Sequence, residues 1–156
     1  MKAAVYYQNG GPEVLRYEDV PDPSCPASFV LIRVEAVSIE GGDTLNRFRG
    51  ALATRPHIVG YQAAGEIIEI GADVHHLRVG QKVATVNMFG SHAELRAVPA
   101  RTAWPIPEGF DPGKAAAGVK RRIAAAVGFP DFEAFAAALG EARKRARAAF
   151  EAILAG

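Results

Sequence analysis

Nine of the ten prolines lie before Gly113, and this asymmetry divides the 156-residue chain into two unlike parts. Proline interrupts helices because it lacks a backbone N–H and fixes φ. The first part, rich in proline and β-branched residues, is therefore typical of β structure with many turns. The second part includes 16 alanines and no Ser, Thr, Tyr, Trp or Asn, a composition that favours helix. The sequence predicts a β domain over residues 1–112 and a helical tail over residues 113–156.

Charge and cysteine content exclude several classes of protein. A net charge of +1 argues against a general polyanion binder, and glutamates interrupt the basic face of the tail, so no nucleic-acid partner is predicted. Cys25 is the only cysteine, which excludes an internal disulfide and a four-cysteine zinc site. No run approaches the roughly 18 to 20 apolar residues of a membrane span. We expect a cytoplasmic protein without a membrane partner.

Short β-branched runs alternate with Gly, Pro or Asp at intervals of about ten residues, which is typical of an all-β barrel or sandwich. Between residues 39 and 51 this alternation fails, and the spacing of Asp43, Leu45 and Phe48 predicts one or two helical turns. The predicted strands are Ala3–Tyr7, Val14–Asp19, Phe29–Ala36, Gly65–Ile70, Lys82–Val86, His92–Val98 and Ala103–Ile106.

The tail is predicted to form two helices. The first spans Ala115–Val127, and the second begins with Asp131 as its N-cap and runs to about Leu154. Apolar residues in the second helix follow the 3-4 spacing of one helical face. This face is expected either to cover the β domain or to pair two chains as a homodimer.

An ordered series of motifs runs from Val34 to Val86. It includes Val34-Glu35-Ala36-Val37-Ser38-Ile39-Glu40-Gly41-Gly42-Asp43, Pro56-His57-Ile58-Val59-Gly60-Tyr61-Gln62-Ala63-Ala64-Gly65, and Val79-Gly80-Gln81-Lys82-Val83. The series resembles the N-terminal, GroES-like domain of the medium-chain dehydrogenase/reductases, and within them the zinc-independent quinone oxidoreductases. The resemblance covers roughly residues 1–117. It implies a mainly β, partly open GroES-like barrel, which the two-helix tail makes α+β overall.

The resemblance also implies that this chain holds no zinc. Zinc-dependent members of the family use a cysteine and a His-Glu pair, and Glu40 and Tyr61-Gln62 stand at those positions here. Tyrosine and glutamine are not normal zinc ligands, and Cys25 lies far away in a proline-rich connection. No metal site is predicted.

In the resembling enzymes, the substrate lies between this domain and a nucleotide-binding domain. The resemblance therefore implies a cleft lined by Glu40, Asp43, Tyr61 and Gln62, with Asp43 and Arg47 on the side of the cofactor, NADPH. Tyr61 would donate a hydrogen bond to the substrate carbonyl, while the cofactor supplies the hydride. Structural roles remain as alternatives. Asp43 would cap a helical turn, Arg47 would form an ion pair with Asp43 four residues earlier, and Tyr61 would fill the barrel mouth.

The tail offers no candidate for a dinucleotide-binding fingerprint. No glycine-rich turn follows a hydrophobic strand after residue 113. We therefore expect the substrate-side domain of an NADPH-dependent quinone or enone oxidoreductase, which binds no cofactor tightly and does not transfer hydride alone. The alternative is a non-catalytic binding or dimerisation module that uses the helical tail, so enzyme activity stays open at this point.

Overall fold

The computed structural model describes residues 1–118, which fold mainly as strands. One helix, α1, spans Gly41–Arg49, and residues 112–118 are also helical. Short 3₁₀ turns cover Pro12–Val14 and Ala100–Thr102. The strands are β1 (Lys2–Tyr6), β2 (Arg16–Asp19), β3 (Phe29–Ser38), β4 (His57–Ile58), β5 (Gln62–Ile70), β6 (Lys82–Val86), β7 (Leu95–Pro99) and β8 (Ala103–Pro105).

The described strands form two antiparallel sheets that do not close into one barrel. The smaller sheet has the order β2-β1-β4 and the larger one the order β7-β3-β5-β6-β8. The sheets meet at β1, where an isolated bridge pairs Ala3 with Ala93 and the Ala4 N–H donates to the His92 carbonyl at 2.8 Å. The predicted mainly β, partly open GroES-like architecture is thereby confirmed.

Each predicted strand overlaps an observed one, and β6 has the predicted bounds. Strand β5 begins at Gln62 rather than at Gly65, because its first residues pair with both β3 and β6. The helical turns expected between residues 39 and 51 are α1. Strand β4 was not predicted, since two residues are too few to show an alternating pattern.

The main core lies on the inward face of the larger sheet. Alternate residues of its strands, among them Val30, Ile32, Ile67, Val83 and Val98, are fully buried there. Full burial of each such side chain contributes about 1.5 to 3 kcal/mol to folding. The period-2 pattern of the sequence therefore fixes which face of the sheet is buried.

A second, smaller cluster involves the helical residues 112–118. Ala115 and Ala116 pack against Ala64 and Ala84 of the larger sheet, with Trp104 at the margin. The predicted helix over 115–127 lies within the described residues only up to residue 118, and the one over 131–154 lies entirely outside them. No helix in residues 1–118 is long and apolar enough to cross a membrane.

His57 is a buried histidine that we expect to make the stability of the fold depend on pH. Its ring is 3% exposed and lies edge-on to Tyr6, with 5.1 Å between ring centroids. Its Nδ1 accepts the Ala53 N–H at 3.3 Å. Burial lowers the pKa of His57 below its ordinary 6.5, so the unfolded chain takes up the proton first. We expect the free energy of unfolding to fall as pH drops from about 6.5 toward the lowered pKa, measured by urea denaturation at several pH values.

Two histidine variants test the source of this acid sensitivity. His57→Asn removes the buried titrating group, so its stability is expected to change less steeply with pH than that of the wild type. Burial also lowers the pKa of His92, which leaves a residual dependence in that variant. His75→Gln changes an exposed histidine and is expected to keep the full dependence. Equal slopes in all three proteins would show that His57 is not responsible.

Candidate functional site

The first turn of α1 is held by a carboxylate. Asp43 Oδ2 accepts the backbone N–H of Glu40 at 2.8 Å, and the Asp43 side chain is only 3% exposed. Carboxylates are favoured here because the first N–H groups of a helix lack intrahelical partners and carry partial positive charge. Burial raises the pKa of Asp43, and the N–H groups of Glu40 and Tyr61 oppose that rise. Asp43 therefore does cap the helical turn, as one alternative had it.

Tyr61 lies directly against this first turn. A β-carbon at Gly42 would come within 2.7 Å of the Tyr61 ring, so the glycine makes room for the tyrosine. The Tyr61 Oη accepts a hydrogen bond from Asn46 Nδ2 at 2.6 Å. Burial and the Asp43 charge raise the pKa of Tyr61, and the Asn46 bond opposes this effect. The structure thus brings Tyr61 to the two acidic residues at the start of α1.

Gln62 follows Tyr61 at the start of β5 but is deeply buried. Its side chain is 2% exposed, and its Oε1 has no hydrogen-bond partner among residues 1–118. A buried amide oxygen without a partner is uncommon in folded proteins. Gln62 therefore offers an unused acceptor beside Tyr61, inside the protein rather than at its surface.

Arg47 lies at the other end of α1. Its Nε donates to the Gly10 carbonyl at 3.4 Å, and Asn9 Nδ2 donates to the Arg47 carbonyl at 3.1 Å. Within residues 1–118 no ion pair joins Arg47 to Asp43. The alternative that these two residues, four positions apart, pair with each other is therefore not realised. Arg47 instead ties α1 to the loop after β1.

A buried arginine underlies the Tyr61 segment, and sequence reasoning missed it. Arg96 is 2% exposed and donates to the Tyr61 carbonyl at 2.8 Å, the Phe89 carbonyl at 3.1 Å and Thr85 Oγ1 at 2.9 Å. Burial lowers the pKa of Arg96 to about 9, and the charge of Asp43 acts against this. The sequence did carry a signal for Arg96. Arg96 and Val98 lie two positions apart in β7 and both face inward, where a charged side chain is unusual.

His92 is a further titratable group near Asp43. Burial lowers the pKa of His92, and the Asp43 carboxylate opposes this change. Neither His92 Nε2 nor the neighbouring Ser91 Oγ has a hydrogen-bond partner in the described part of the chain. The backbone passes close to these two side chains at Gly60, which has a φ of 107°. A β-carbon at Gly60 would overlap Ser91 Oγ. The site thus combines a buried acid, a buried cation and a histidine.

The donor set does not fit a zinc ion. In residues 1–118, no three side chains of His, Cys, Asp or Glu come together as a metal site would need. Cys25 lies apart from Tyr61 and Gln62, with its Sγ donating to the Phe29 carbonyl at 3.4 Å. Zinc independence itself stays a prediction.

The described residues also do not fit a complete dinucleotide. A pyrophosphate needs several backbone N–H groups at a glycine-rich turn or helix N-terminus, often with cations. The helix start nearest Tyr61 is occupied by its own cap, the buried Asp43, whose charge would repel a phosphate.

Comparison with known proteins identifies the family. The model of the alcohol dehydrogenase GroES-like domain matches residues 26–108, which is more than half of the chain. The chain belongs to this family, whose domain forms the N-terminal part of medium-chain dehydrogenases and reductases. Its structural neighbours include quinone oxidoreductases: the enzyme of Pseudomonas syringae superposes with a TM-score of 0.71 at 27% identity, over 74% of this chain and 36% of that one.

Curated relatives agree with this assignment. A quinone oxidoreductase of Pseudomonas aeruginosa is 31% identical over 112 residues, 69% of this chain and 34% of that protein. A chloroplastic NADPH-dependent alkenal/one oxidoreductase of Arabidopsis thaliana is 33% identical over 129 residues, 74% of this chain and 33% of that protein. The chain spans about a third or less of the length of the curated relatives that it matches.

Proposed function

We propose that this chain supplies the substrate-side half of an NADPH-dependent quinone or enone oxidoreductase. The observation that carries the proposal is the Tyr61 phenol, which Asn46 holds at 2.6 Å beside the first turn of α1. A phenol is a hydrogen-bond donor of the kind that can polarise a carbonyl oxygen without a metal. The names of the relatives, quinone oxidoreductase and alkenal/one oxidoreductase, support a carbonyl substrate.

Each candidate residue takes a proposed role in this cleft. We propose that Tyr61 donates to the substrate carbonyl and that the Glu40 carboxylate and the Gln62 amide, which is 2% exposed here, belong to the wall of the cleft. Asp43 and Arg47 remain the proposed contacts on the cofactor side, toward the nicotinamide rather than toward the phosphates that the Asp43 carboxylate would repel. Asp43 Oδ1 makes no hydrogen bond of ordinary geometry in residues 1–118, although the Tyr61 N–H lies close enough to act on the carboxylate.

The proposed domain organisation limits what the 156 residues do by themselves. We assign residues 1–112 to the GroES-like domain and residues 113–156 to a helical tail without a dinucleotide fingerprint. The chain is accordingly proposed to bind NADPH weakly and to need a nucleotide-binding domain for hydride transfer.

The test separates substrate binding from turnover. A small water-soluble benzoquinone titrated into the isotope-labelled chain is expected to shift the amide NMR signals around Tyr61. Tyr61→Phe should weaken this binding about fivefold, the value of one hydrogen bond of about 1 kcal/mol. Tyr17→Phe, in the other sheet, is the matched control because Tyr17 is 69% exposed. Quinone shifts that Tyr61→Phe leaves unchanged, or no shifts at all, would contradict the assigned substrate site.

Turnover and metal content are measured on the same preparation. NADPH and quinone mixed with stoichiometric amounts of the chain are expected to react no faster than without protein. Faster reaction would show that these residues complete hydride transfer by themselves. Elemental analysis is expected to find no stoichiometric zinc, and one tightly bound equivalent would overturn the zinc-independent assignment.

A further inference from the structure

The side chain of Asn46 has a defined orientation between Tyr61 and the end of α1. Its Nδ2 lies 2.6 Å from Tyr61 Oη. Its Oδ1 lies on the side of Gly50, where a β-carbon on that glycine would be 3.0 Å away. The nitrogen of the amide therefore faces the phenol, and the oxygen faces away from it. In this orientation Asn46 is the donor and the phenol oxygen is the acceptor.

The backbone of Asn46 is fixed from two sides. Its carbonyl accepts the Gly50 N–H at 2.7 Å and Asn9 Nδ2 at 3.0 Å. The same Asn9 nitrogen lies 2.9 Å from the Gly50 carbonyl. The loop after β1 thus holds the C-terminal turn of α1, so the Asn46 amide meets Tyr61 from a restrained position. These bonds involve only the backbone of Asn46, so we expect them to persist when its side chain is replaced.

The direction of this hydrogen bond decides what the phenol can do. A hydroxyl that accepts from an amide N–H keeps its own hydrogen for a different acceptor. The groups that act electrostatically on the phenol include Asp43 of α1, Glu40 just before α1 and Tyr6 of β1. Burial and the two carboxylates raise the pKa of Tyr61 and so disfavour loss of the phenolic proton, whereas the Asn46 N–H favours it. The phenol therefore stays protonated while its oxygen is already polarised.

We propose that Asn46 is a positioning residue, which donates to Tyr61 Oη and thereby leaves the Tyr61 O–H to donate to the carbonyl oxygen of a bound quinone or enone. The second half of this statement rests on the proposed function, whereas the first half concerns only the Asn46–Tyr61 pair. Asn46 acts through Tyr61 and does not itself touch the substrate.

The first experiment measures the direction of the hydrogen bond. The pKa of Tyr61 is followed by NMR in the full chain labelled with ¹³Cζ-tyrosine, with Tyr61→Phe to assign the signal. Asn46→Leu removes the donor and is expected to raise that pKa. Asn46→Asp keeps the shape, offers only acceptors and adds a negative charge, so it should raise the pKa further. A lower pKa in Asn46→Leu would show that Tyr61 donates to Asn46, which overturns the proposal.

Arg49→Gln is the matched control for charge. Arg49 is exposed on the same helix, and its replacement by glutamine changes the net charge by the same amount as Asn46→Asp. We expect a smaller rise in the pKa of Tyr61 than with Asn46→Asp, because an exposed charge is screened by solvent. If the pKa of Tyr61 rose equally in the two variants, the effect of Asn46→Asp would be explained by the change in net charge alone. If Asn46→Leu fails to fold, Asn46→Ala removes the same donor with a smaller side chain, and its effect on the Tyr61 pKa is interpreted in the same way.

The second experiment asks whether Asn46 acts through Tyr61. Asn46→Leu is expected to weaken binding of the benzoquinone about fivefold, as expected for a hydrogen bond of about 1 kcal/mol. In a Tyr61→Phe background the same change should have no further effect, since the two residues act as one unit. Equal losses in both backgrounds would contradict a positioning role. If the pKa shifts appear but the wild-type chain does not bind quinone either, the Asn46–Tyr61 pair stands and the proposed function fails.

Discussion

Replacing Arg96 with methionine is expected to lower the free energy of unfolding by about 3 kcal/mol. Methionine keeps most of the apolar stem but removes the guanidinium, which donates to Thr85 Oγ1 and to the carbonyls of Tyr61 and Phe89. Hydrogen bonds from a charged donor are worth about 1.5 to 3 kcal/mol each, and relief of the buried charge offsets part of their loss. Urea denaturation followed by circular dichroism measures the difference.

Two further arginine variants separate charge from hydrogen bonding. Arg96→Lys keeps a positive charge but cannot reach three acceptors with one nitrogen in the same way, so a loss of about 2 kcal/mol is expected. Arg101→Met changes an exposed arginine and should alter stability by less than about 0.5 kcal/mol. If Arg96→Met were as stable as the wild type, desolvation of the guanidinium would cancel all of its hydrogen bonds.

Gly65→Ala is expected to destabilise the larger sheet by about 3 kcal/mol or to prevent folding. Gly65 lies in β5 opposite Val34 of β3, next to a shift in the register of the two strands. A β-carbon at Gly65 would overlap the carbonyl oxygen of Arg33, which is backbone and cannot move aside alone. The strands would have to separate where they are most extensively paired. The yield of folded protein and the urea midpoint both report this effect.

Gly41→Ala provides the matched control for that substitution. Gly41 is the first residue of α1, and a β-carbon there would meet no atom within 4 Å. Alanine should therefore be neutral or slightly stabilising, because it lowers the conformational freedom of the unfolded chain and favours helix. Similar losses for Gly41→Ala and Gly65→Ala would mean that the Arg33 contact is not the cause.

Most of the fold follows from local patterns in the sequence. The strands were predictable because β-branched runs end at Gly, Pro or Asp, and α1 because Asp43 precedes apolar residues at helical spacing. Strand β4 has only His57 and Ile58, and it exists because β1 offers them partners. Such a strand depends on tertiary pairing, which no local pattern carries.

The site was less accessible to sequence reasoning, because its contacts join distant segments. Glu40, Asp43 and Tyr61 were named from the resemblance, and the structure brings them together at the start of α1. Asn46 and Arg96 were not named, since the hydrogen bond of each to Tyr61 spans 15 and 35 residues of chain. Only the inward position of Arg96 in β7 gave a local sign.

The outer strands of both sheets discourage aggregation through added strands. In the larger sheet, β7 ends at Pro99 and the three-residue β8 at Pro105, and proline has no N–H to offer a neighbouring chain. In the smaller sheet, β4 has two residues and β2 carries mainly charged and polar side chains. Short, charged or proline-ended edges make poor templates for amyloid-like growth. Association of this part of the chain with another protein should therefore depend on side-chain surfaces rather than on shared backbone ladders.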